Sequence, residues 1–341
     1  MLIETHILSK GKKYFTCGNY SMQYIKFHYL CIEFILTGIK YNNMKNICIN
    51  GDCLESLKNI ESESIDLVIA DPPYWKVIGK KWDYQWKTEE IYIEWSKKWF
   101  AEIARVLRIG GTFYCFGYFR TLALLVPLLS PIGLELRQQI IINKGMRSVS
   151  GRATRSYKIF PNVTESILFI IKDNKKFIKP FFKARQKELG LTSKEINEAL
   201  GVKSNGGGMW SIYTGDNICE QFPTRDLWNK LANILKFNLP YEKVAQTFNP
   251  QLGYTDVWSD IDFYKEKRYH PTQKPLKLID RLILASSNKG DTVLDPFSGC
   301  GSTQLSALRN DRQYIAIEKD PIYYQIGIDR INEFNKIKTL F

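Results

Sequence analysis

Asp71-Pro72-Pro73-Tyr74 is the stretch around which this sequence is organised, and it directly follows an apolar run over residues 65–70. The run predicts a buried parallel strand, and open α/β sheets bind ligands at the carboxyl ends of such strands. The prolines remove two backbone donors and leave a stiff loop rich in carbonyl acceptors, beside which the tyrosine offers a flat face. An acid, a carbonyl and an aromatic plate suit a planar ring with an exocyclic amine, such as a base flipped out of a duplex. A strand end closed by a Pro-Pro turn is the simpler alternative, and the tetrapeptide alone does not exclude it.

The charge of the chain favours a polyanionic partner. Its 341 residues include 48 Lys and Arg against 35 Asp and Glu, which gives a formal net charge of +13. Phosphate groups bind Lys and Arg with release of counterions, so a surplus of this size is typical of proteins that contact nucleic acid. A basic protein without such a partner would show the same balance, and the motifs must therefore decide.

Cysteine and histidine usage argues against a metal site and a disulfide framework. The seven cysteines are scattered singly without a Cys-x-x-Cys pair, and the chain has only three histidines. This usage fits a reducing cytoplasm, and no bound metal is expected. No apolar run is long enough to span a membrane; the closest candidate, residues 29–39, contains Glu33 and lacks a small-residue cleavage site.

The order of the predicted elements indicates an α/β fold with a doubly wound, mostly parallel sheet. Strands are predicted at residues 47–49, 65–70, 112–117, 165–171, 292–295 and 314–317. Helices are predicted at residues 52–59, 88–107, 121–129, 276–285, 304–309 and 321–334. Repeated strand–helix units of this kind imply parallel strands covered by helices on both faces. Residues 1–43 precede the pattern as an extension to which no function is assigned.

Residues 173–265 interrupt this rhythm and predict an inserted, mainly helical subdomain that touches the partner. Within it, residues 192–202 combine Ser/Thr capping, helical spacing and a Gly turn, which resembles the start of a helix-turn-helix, although any small helical hairpin would look similar. Trp210, Tyr213 and Trp228 are predicted to anchor a small core there. Basic side chains in this segment and in a Gly- and Ser-containing loop over residues 143–158 are predicted phosphate contacts: Lys144, Arg147, Arg152, Arg155 and Lys194.

A second candidate site is the turn over residues 295–303, Asp-Pro-Phe-Ser-Gly-Cys-Gly-Ser-Thr, which precedes a helix and a strand ending at Glu318. A strand, a Gly-x-Gly turn, a helix and a strand ending in an acid bind a nucleoside cofactor. A phosphate-binding P-loop needs a lysine after its second glycine, where Ser302 stands, and a dinucleotide site wants a third glycine in register. S-adenosylmethionine carries a sulfonium and an ammonium, which Asp295 and Glu318 would attract. The acids therefore favour S-adenosylmethionine over the other two cofactors.

Together these motifs resemble those of the amino-group DNA methyltransferases. The resemblance also takes in Gly51-Asp52-Cys53 and His270-Pro271-Thr272-Gln273-Lys274-Pro275, and it spans residues 44–172 and 268–334. The catalytic tetrapeptide precedes the cofactor loop, an order that resembles the β group, a circular permutation of the common methyltransferase sheet. The resemblance implies a catalytic half over residues 44–172, a target-recognition insertion over 173–265 and a cofactor-binding half over 266–341.

The resemblance also implies a role for each motif residue. Asp71, Pro72, Pro73 and Tyr74 form the catalytic motif: Asp71 and the Pro72 carbonyl accept the amine N–H groups, and Tyr74 stacks on the flipped base. Glu318 takes the ribose, while His270, Gln273 and Lys274 close the pocket around the carboxylate end of the cofactor. The full set of implied cofactor-binding residues is Asp52, Cys53, Asp71, His270, Gln273, Lys274, Asp295, Phe297, Ser298, Gly299, Gly301, Ser302 and Glu318.

The predicted reaction is methylation of the N6 amine of adenine in double-stranded DNA, because Asp rather than Ser opens the tetrapeptide. N4-cytosine methylation is the alternative within the family, and an RNA methyltransferase would share the chemistry. A helix-turn-helix DNA-binding regulator or a nicotinamide oxidoreductase would leave the tetrapeptide without a role. Methylation of cytosine C5 needs a cysteine nucleophile, usually in a Pro-Cys pair, and the chain has no such pair. The resemblance leaves open a homodimer and a restriction endonuclease that shares the target site.

Overall fold

The computed structural model describes residues 5–7, 13–15, 45–75, 84–149, 160–201, 208–215 and 220–338 of the chain. The chain divides into two compact units, Met1–Tyr41 and Asn42–Phe341. In the smaller unit, strands β1 (Thr5–Ile7) and β2 (Lys13–Phe15) pair antiparallel. The predicted phosphate contacts Arg152 and Arg155 lie outside the described residues, as does most of the N-terminal extension.

The larger unit is built on an eight-stranded sheet. Its strands are β3 (Ile47–Asn50), β4 (Ile65–Ala70), β5 (Leu107–Gly117), β6 (Leu134–Asn143), β7 (Thr164–Lys172), β8 (Val257–Trp258), β9 (Thr292–Asp295) and β10 (Gln313–Glu318). They lie in the order β3-β10-β9-β4-β5-β7-β6-β8. The strands from β3 to β5 in that order pair in parallel, β7 pairs antiparallel with β5 and β6, and β8 is parallel to β6. The predicted α/β fold with a mostly parallel sheet is therefore confirmed.

The helices outside the predicted insertion lie close to their predicted positions, and side-chain capping marks the starts of two of them. Asp52 accepts from the backbone N–H of Leu54 at 2.9 Å, and Thr88 caps the next long helix. The predicted helix at 121–129 is shorter and breaks into two 3-10 turns, each with a proline in its first turn. These helices span Cys53–Leu57, Glu89–Val106, Phe119–Leu125, Leu276–Ser286, Ser302–Arg309 and Pro321–Lys338.

Within the larger unit, the sequence prediction misses two strands and misplaces the start of a third, and it does not contain β1 or β2 of the smaller unit. It contains neither β6 nor the short β8, because polar residues interrupt the apolar pattern of β6. It starts β5 at residue 112, whereas the strand begins at Leu107 and shifts register against β4 over the intervening residues. Gly110 lies in that irregular stretch at φ +70°, where an added Cβ would come within 2.4 Å of the Val244 carbonyl oxygen.

The helices between residues 173 and 245 pack around a core of their own, which contains the predicted anchors Trp210, Tyr213 and Trp228. The Ser/Thr capping predicted within residues 192–202 is present as a capping box at Thr192, with Glu195 as its partner. The helix-turn-helix interpretation stays a prediction, because residues 202–207 lie outside the described range. The helices span Asn174–Leu189, Ser193–Leu200, Gly208–Thr214 and Arg225–Leu235. Across the described residues we find no helix with the length and apolar character that crossing a membrane requires.

Candidate active site

The pairing of β4 with β9 brings Asp71 and Asp295 to the same edge of the sheet. Leu67 pairs with Val293 and Val68 with Leu294, so the carboxyl ends of the two parallel strands lie side by side. Asp295 is the last residue of β9, and Asp71 directly follows the last residue of β4. Both line one cavity of about 530 Å³. A cavity of this size at the carboxyl edge of an α/β sheet is typical of a small-molecule site.

The lining of this cavity brings together nearly all of the predicted motif residues. Gly301 is the exception: it lies at φ +88°, and an added Cβ would come within 3.0 Å of the Cα of Gly327, so it packs against the last helix. The cavity is also lined by Trp95, Phe116 and Tyr323, which the sequence analysis does not name. The predicted residues in the lining are Asp52, Cys53, Asp71, Pro72, Pro73, Tyr74, His270, Gln273, Lys274, Asp295, Phe297, Ser298, Gly299, Ser302 and Glu318.

The buried Asp295 and the half-buried Glu318 hold the glycine-containing turn in shape. Asp295 accepts from the backbone N–H of Phe297 at 2.9 Å and from the hydroxyl of Thr303 at 2.5 Å. Glu318 accepts from the backbone N–H of Gly299 at 2.7 Å. Burial, together with the charges of Asp71 and Glu318, raises the pKa of Asp295 to about 7 despite its hydrogen bonds. Burial likewise raises the pKa of Glu318. A cation in the cavity would favour the charged form of both acids.

The same turn leaves space and an unsatisfied polar atom for a ligand. The Ser302 hydroxyl is buried in the cavity lining and has no hydrogen-bond partner among the described residues. Gly299 lies at φ +51° with nothing within 4 Å of an added Cβ. A buried polar group that is left unpaired costs free energy, which a bound polar ligand would recover. Buried acids with a lone hydroxyl fit the sulfonium and ammonium groups of S-adenosylmethionine.

Two other segments of the cavity lining, around residue 52 and over residues 270–273, are held in place by hydrogen bonds of their own side chains. Asp52 caps its helix and pairs with Lys319 at 3.0 Å. The Nδ1 of His270 accepts from the backbone N–H of Thr272 at 3.2 Å, and burial lowers the pKa of this histidine. Gln273 accepts from the backbone N–H of Tyr269 at 2.9 Å and donates to the Lys267 carbonyl. The Gln273 amide therefore shapes the loop on which it lies. Burial also raises the pKa of Cys53 to about 12, so its thiol is neutral.

Lys274 contacts Asp71, the acid of the tetrapeptide. The sequence predicts Lys274 at the carboxylate end of the cofactor and does not anticipate this contact. Its Nζ donates to Asp71 Oδ2 at 2.6 Å and lies 3.0 Å from Glu165 Oε1. Burial alone would lower the pKa of the Lys274 ammonium. The charges of Asp71 and Glu165 outweigh that effect and raise the pKa above its usual range.

Glu165 is a buried acid at this site that the sequence analysis treats only as part of a strand. It exposes 4% of its surface and accepts from the Tyr74 hydroxyl at 2.6 Å. Burial would raise the pKa of Glu165, but the ammonium groups of Lys274 and Lys144 bring it down to about 2. The available signal was an acid at the start of an otherwise apolar strand, since a buried charge must be paired.

The predicted phosphate contacts fall into different settings. Lys144, predicted to contact phosphate from a flexible basic loop, is largely buried and lies 3.4 Å from Glu165. Arg147 is exposed in a 3-10 turn over Met146–Val149. Lys194 exposes 86% of its side chain and lies 3.9 Å from Glu198. Contact with phosphate stays a prediction for Arg147 and Lys194, while the position of Lys144 gives it a partner inside the protein.

Comparison with known proteins assigns this site to a family. A family model for N6- and N4-specific enzymes, described as DNA methylase, matches residues 65–329. The chain belongs to the DNA methylase family. The cofactor of this DNA methylase is S-adenosylmethionine, and the cavity at the glycine-containing turn has the acids and the unpaired hydroxyl that fit it.

Individual relatives agree with the family assignment. DNA adenine methyltransferase YhdJ of Escherichia coli strain K12 is 30% identical over 304 residues, which cover 86% of this chain and 85% of that protein. Type II methyltransferase M.HinfI of Haemophilus influenzae is 26% identical, with coverages of 86% and 70%.

Two solved structures share the fold of this DNA methylase. The M1.HpyAVI complex with S-adenosylmethionine has a TM-score of 0.50 at 19% identity and covers 84% of this chain and 98% of that one. The PvuII cytosine-N4-specific DNA methyltransferase also has a TM-score of 0.50, at 16% identity and coverages of 84% and 86%. At these identities the two structures support the fold alone.

Proposed function

We propose that this DNA methylase transfers the methyl group of S-adenosylmethionine to the N6 amine of adenine in double-stranded DNA. The observation that carries the proposal is the single cavity in which Asp71 faces the turn that contains Asp295 and Ser302. The relative YhdJ is named a DNA adenine methyltransferase, which favours N6 of adenine over N4 of cytosine. N4-cytosine methylation is the second candidate, because the family model covers both amines.

In the proposed mechanism, the tetrapeptide activates the amine by holding it. The lone pair of an exocyclic amine is delocalised into the ring, so the nitrogen is a poor nucleophile. Asp71 and the Pro72 carbonyl each accept one amine N–H, which lets the nitrogen become pyramidal as it attacks. Tyr74 presents its ring to the flipped base and replaces stacking that the duplex loses. Positioning and electrostatics supply the rate enhancement, without a covalent intermediate.

The cofactor side of the cavity supplies an acidic cradle in this proposal. When bound, S-adenosylmethionine supplies an electrophilic methyl group. Asp295 and Glu318 attract its cationic groups, and Glu318 accepts hydrogen bonds from its ribose hydroxyls. The Ser302 hydroxyl pairs with a polar group of the ligand. Asp52 and Cys53 lie in the same lining and meet the nucleoside end. Water exclusion by the surrounding aromatic side chains strengthens each of these electrostatic contacts.

The proposed reader of the DNA sequence is the insertion over residues 173–265, between a catalytic half over 44–172 and a cofactor-binding half over 266–341. Its support is the separate helical core and the exposed Lys194 in the first turn of a capped helix. M.HinfI is named a type II methyltransferase, so the proposal extends to a restriction endonuclease with the same target site. A homodimer and a cytoplasmic location complete the proposal, from the β-group resemblance and from the single, scattered cysteines of the sequence.

Sequencing-based mapping of modified bases tests the proposed function. Unmethylated DNA is incubated with the protein and S-adenosylmethionine, and the positions of modified bases are compared with those in DNA incubated without the cofactor. The expected result is modified adenine within one short recurring sequence. Modified cytosine would transfer the assignment to the N4 chemistry, and unmodified DNA would contradict the proposal.

A further inference from the structure

Both carboxylate oxygens of Asp71 lie near donors within the protein. The Tyr74 hydroxyl, whose single proton serves either Asp71 or Glu165, lies 2.7 Å from Oδ1, and the Lys274 ammonium lies 2.6 Å from Oδ2. Each carboxylate oxygen accepts up to two hydrogen bonds, so the target amine has acceptor sites beside these donors. An ammonium that stays on Oδ2 nevertheless neutralises the charge with which Asp71 would strengthen the hydrogen bond from the amine. A charge-assisted hydrogen bond from an ammonium is the stronger of the two, so the displacement of Lys274 needs a compensating partner.

Glu165 stands where such a partner is required. Its Oε1 lies 3.0 Å from the Lys274 Nζ and 2.6 Å from the Tyr74 hydroxyl. Both donors that occupy Asp71 therefore have the same second acceptor already in contact. Glu165 is buried on β7, and its other oxygen lies 3.4 Å from the Lys144 ammonium. A short movement of the ammonium towards Glu165 would free Oδ2 without exposing a buried charge.

We propose that Glu165 is a positioning residue for methyl transfer, which takes over the Lys274 ammonium when the target amine replaces that ammonium on Asp71. The lysine keeps its proton throughout, and only its hydrogen-bond partner changes. This inference rests on the proposed function, because it requires an amine that binds Asp71. It goes beyond that function by giving a role to Glu165, a buried residue outside the cavity lining, through its contact with Lys274.

The charges around Lys274 explain why an acid is needed at position 165. Two carboxylates and two ammonium groups, those of residues 71, 165, 144 and 274, balance to zero in the buried network. In a Glu165→Gln variant one positive charge is in excess, and Asp71 becomes the sole carboxylate in contact with Lys274. The ammonium then stays on Asp71 and competes with the target amine.

The first measurement is the single-turnover rate of methyl transfer at saturating cofactor and DNA, for the wild type and Glu165→Gln. We expect the variant to be slower by about tenfold or more, with cofactor affinity changed less than about twofold. The matched control is Asp66→Asn, which removes a carboxylate bound to Arg108 at 2.8 Å at the other end of β4. Thermal unfolding of each variant shows that the rates refer to folded protein.

The second measurement separates positioning from a merely structural role. In the double variant Glu165→Gln/Lys274→Met no Lys274 ammonium occupies Asp71, so we expect methyl transfer at saturating cofactor to be faster than in Glu165→Gln. In Glu165→Gln alone, the rate should rise towards alkaline pH, because Lys274 has lost one of the two anions that raise its pKa and gives up its proton at a lower pH than in the wild type. The wild type, whose Lys274 stays charged, should show no such rise.

Other titratable groups also face Lys274. Asp71 and Tyr74 from the loop after β4, Glu165 from β7 and His270 from its own loop surround it, with Lys144 beyond Glu165. Burial raises the pKa of Tyr74 well above its usual range and lowers the pKa of His270. A rise in rate that Glu165→Gln shows and the double variant Glu165→Gln/Lys274→Met does not show therefore reports on Lys274.

The proposal is overturned if Glu165→Gln transfers methyl groups at the wild-type rate. It is equally overturned if the variant is slow at every pH and the double variant is no faster. Failure of the proposed function itself is distinguishable, because the wild-type protein would then modify no adenine in the same assay.

Discussion

The ammonium of Lys274 lies 2.6 Å from the carboxylate of Asp71, although the two residues are 203 positions apart in the chain. This contact joins the His-Pro-Thr-Gln-Lys-Pro loop to the tetrapeptide after β4. The loop also lies against the cofactor side, where the Cys300 thiol lies 3.2 Å from Gln273 Oε1. A single loop therefore contacts both the acid of the tetrapeptide and the glycine-containing turn.

Cofactor binding should release a proton near neutral pH. In the free protein, burial holds the pKa of Asp295 at about 7, and a bound cation would lower it by favouring the carboxylate. Affinity for S-adenosylmethionine should therefore increase as pH rises from about 6 to about 8. Calorimetry at about pH 6 in two buffers of different ionisation enthalpy measures the proton release. Asp295→Asn should abolish it; a binding heat that is independent of buffer in the wild type would contradict this role.

The same group should make the free protein less stable as pH rises. The unfolded chain loses this proton near pH 4, whereas the folded protein keeps it to about pH 7. The contribution of Asp295 is fully present below the lower value, and it is lost as pH rises through the higher one. The free energy of unfolding, measured with urea without cofactor, should therefore fall over that interval. In Asp295→Asn the slope should be smaller, and an unchanged slope would refute the assignment.

Gly301→Ala should destabilise the protein more than glycine replacement at an open left-handed position. Left-handed backbone alone costs an L-residue about 1–2 kcal/mol. At Gly301 the added Cβ would also come within 3.0 Å of the Gly327 Cα, whereas at Gly290, with φ +84°, it would meet nothing within 4 Å. Urea unfolding of Gly301→Ala and Gly290→Ala gives the difference, which is the cost of the contact. Equal free energies would show that the last helix moves away easily.

The motif residues could be predicted from the sequence because strand order places them by a simple rule. Asp71 and Asp295 each follow an apolar run, and parallel strands present their carboxyl ends at one edge. The contact of Lys274 with both Asp71 and Glu165 could not be predicted, because Glu165 is distant in sequence from both of its lysine partners. The prediction misses β6 for a similar reason: its strand conformation comes from pairing with β7 and not from its own apolar pattern.

Lys194 should contribute to DNA binding through phosphate and not through catalysis. Its side chain is 86% exposed in the first turn of a helix within the insertion. Lys194→Ala should weaken DNA binding at all sequences and reduce the salt dependence of the affinity by about one ion. The matched control is Lys289→Ala, whose exposed lysine precedes β9 at the opposite edge of the sheet from the cavity. Equal effects of the two substitutions on DNA affinity would contradict a role for the insertion.

The central claim is that Asp71 holds the amine of adenine while a methyl group is transferred to it. Nucleoside mass spectrometry after incubation of DNA with S-adenosylmethionine measures the product directly, for the wild type, Asp71→Ala and the control Asp66→Asn. We predict N6-methyladenine from the wild type and the control, and at least about a hundredfold less from Asp71→Ala, with cofactor-induced thermal stabilisation retained. Wild-type amounts of N6-methyladenine from Asp71→Ala, or N4-methylcytosine in place of N6-methyladenine from the wild type, would contradict the claim.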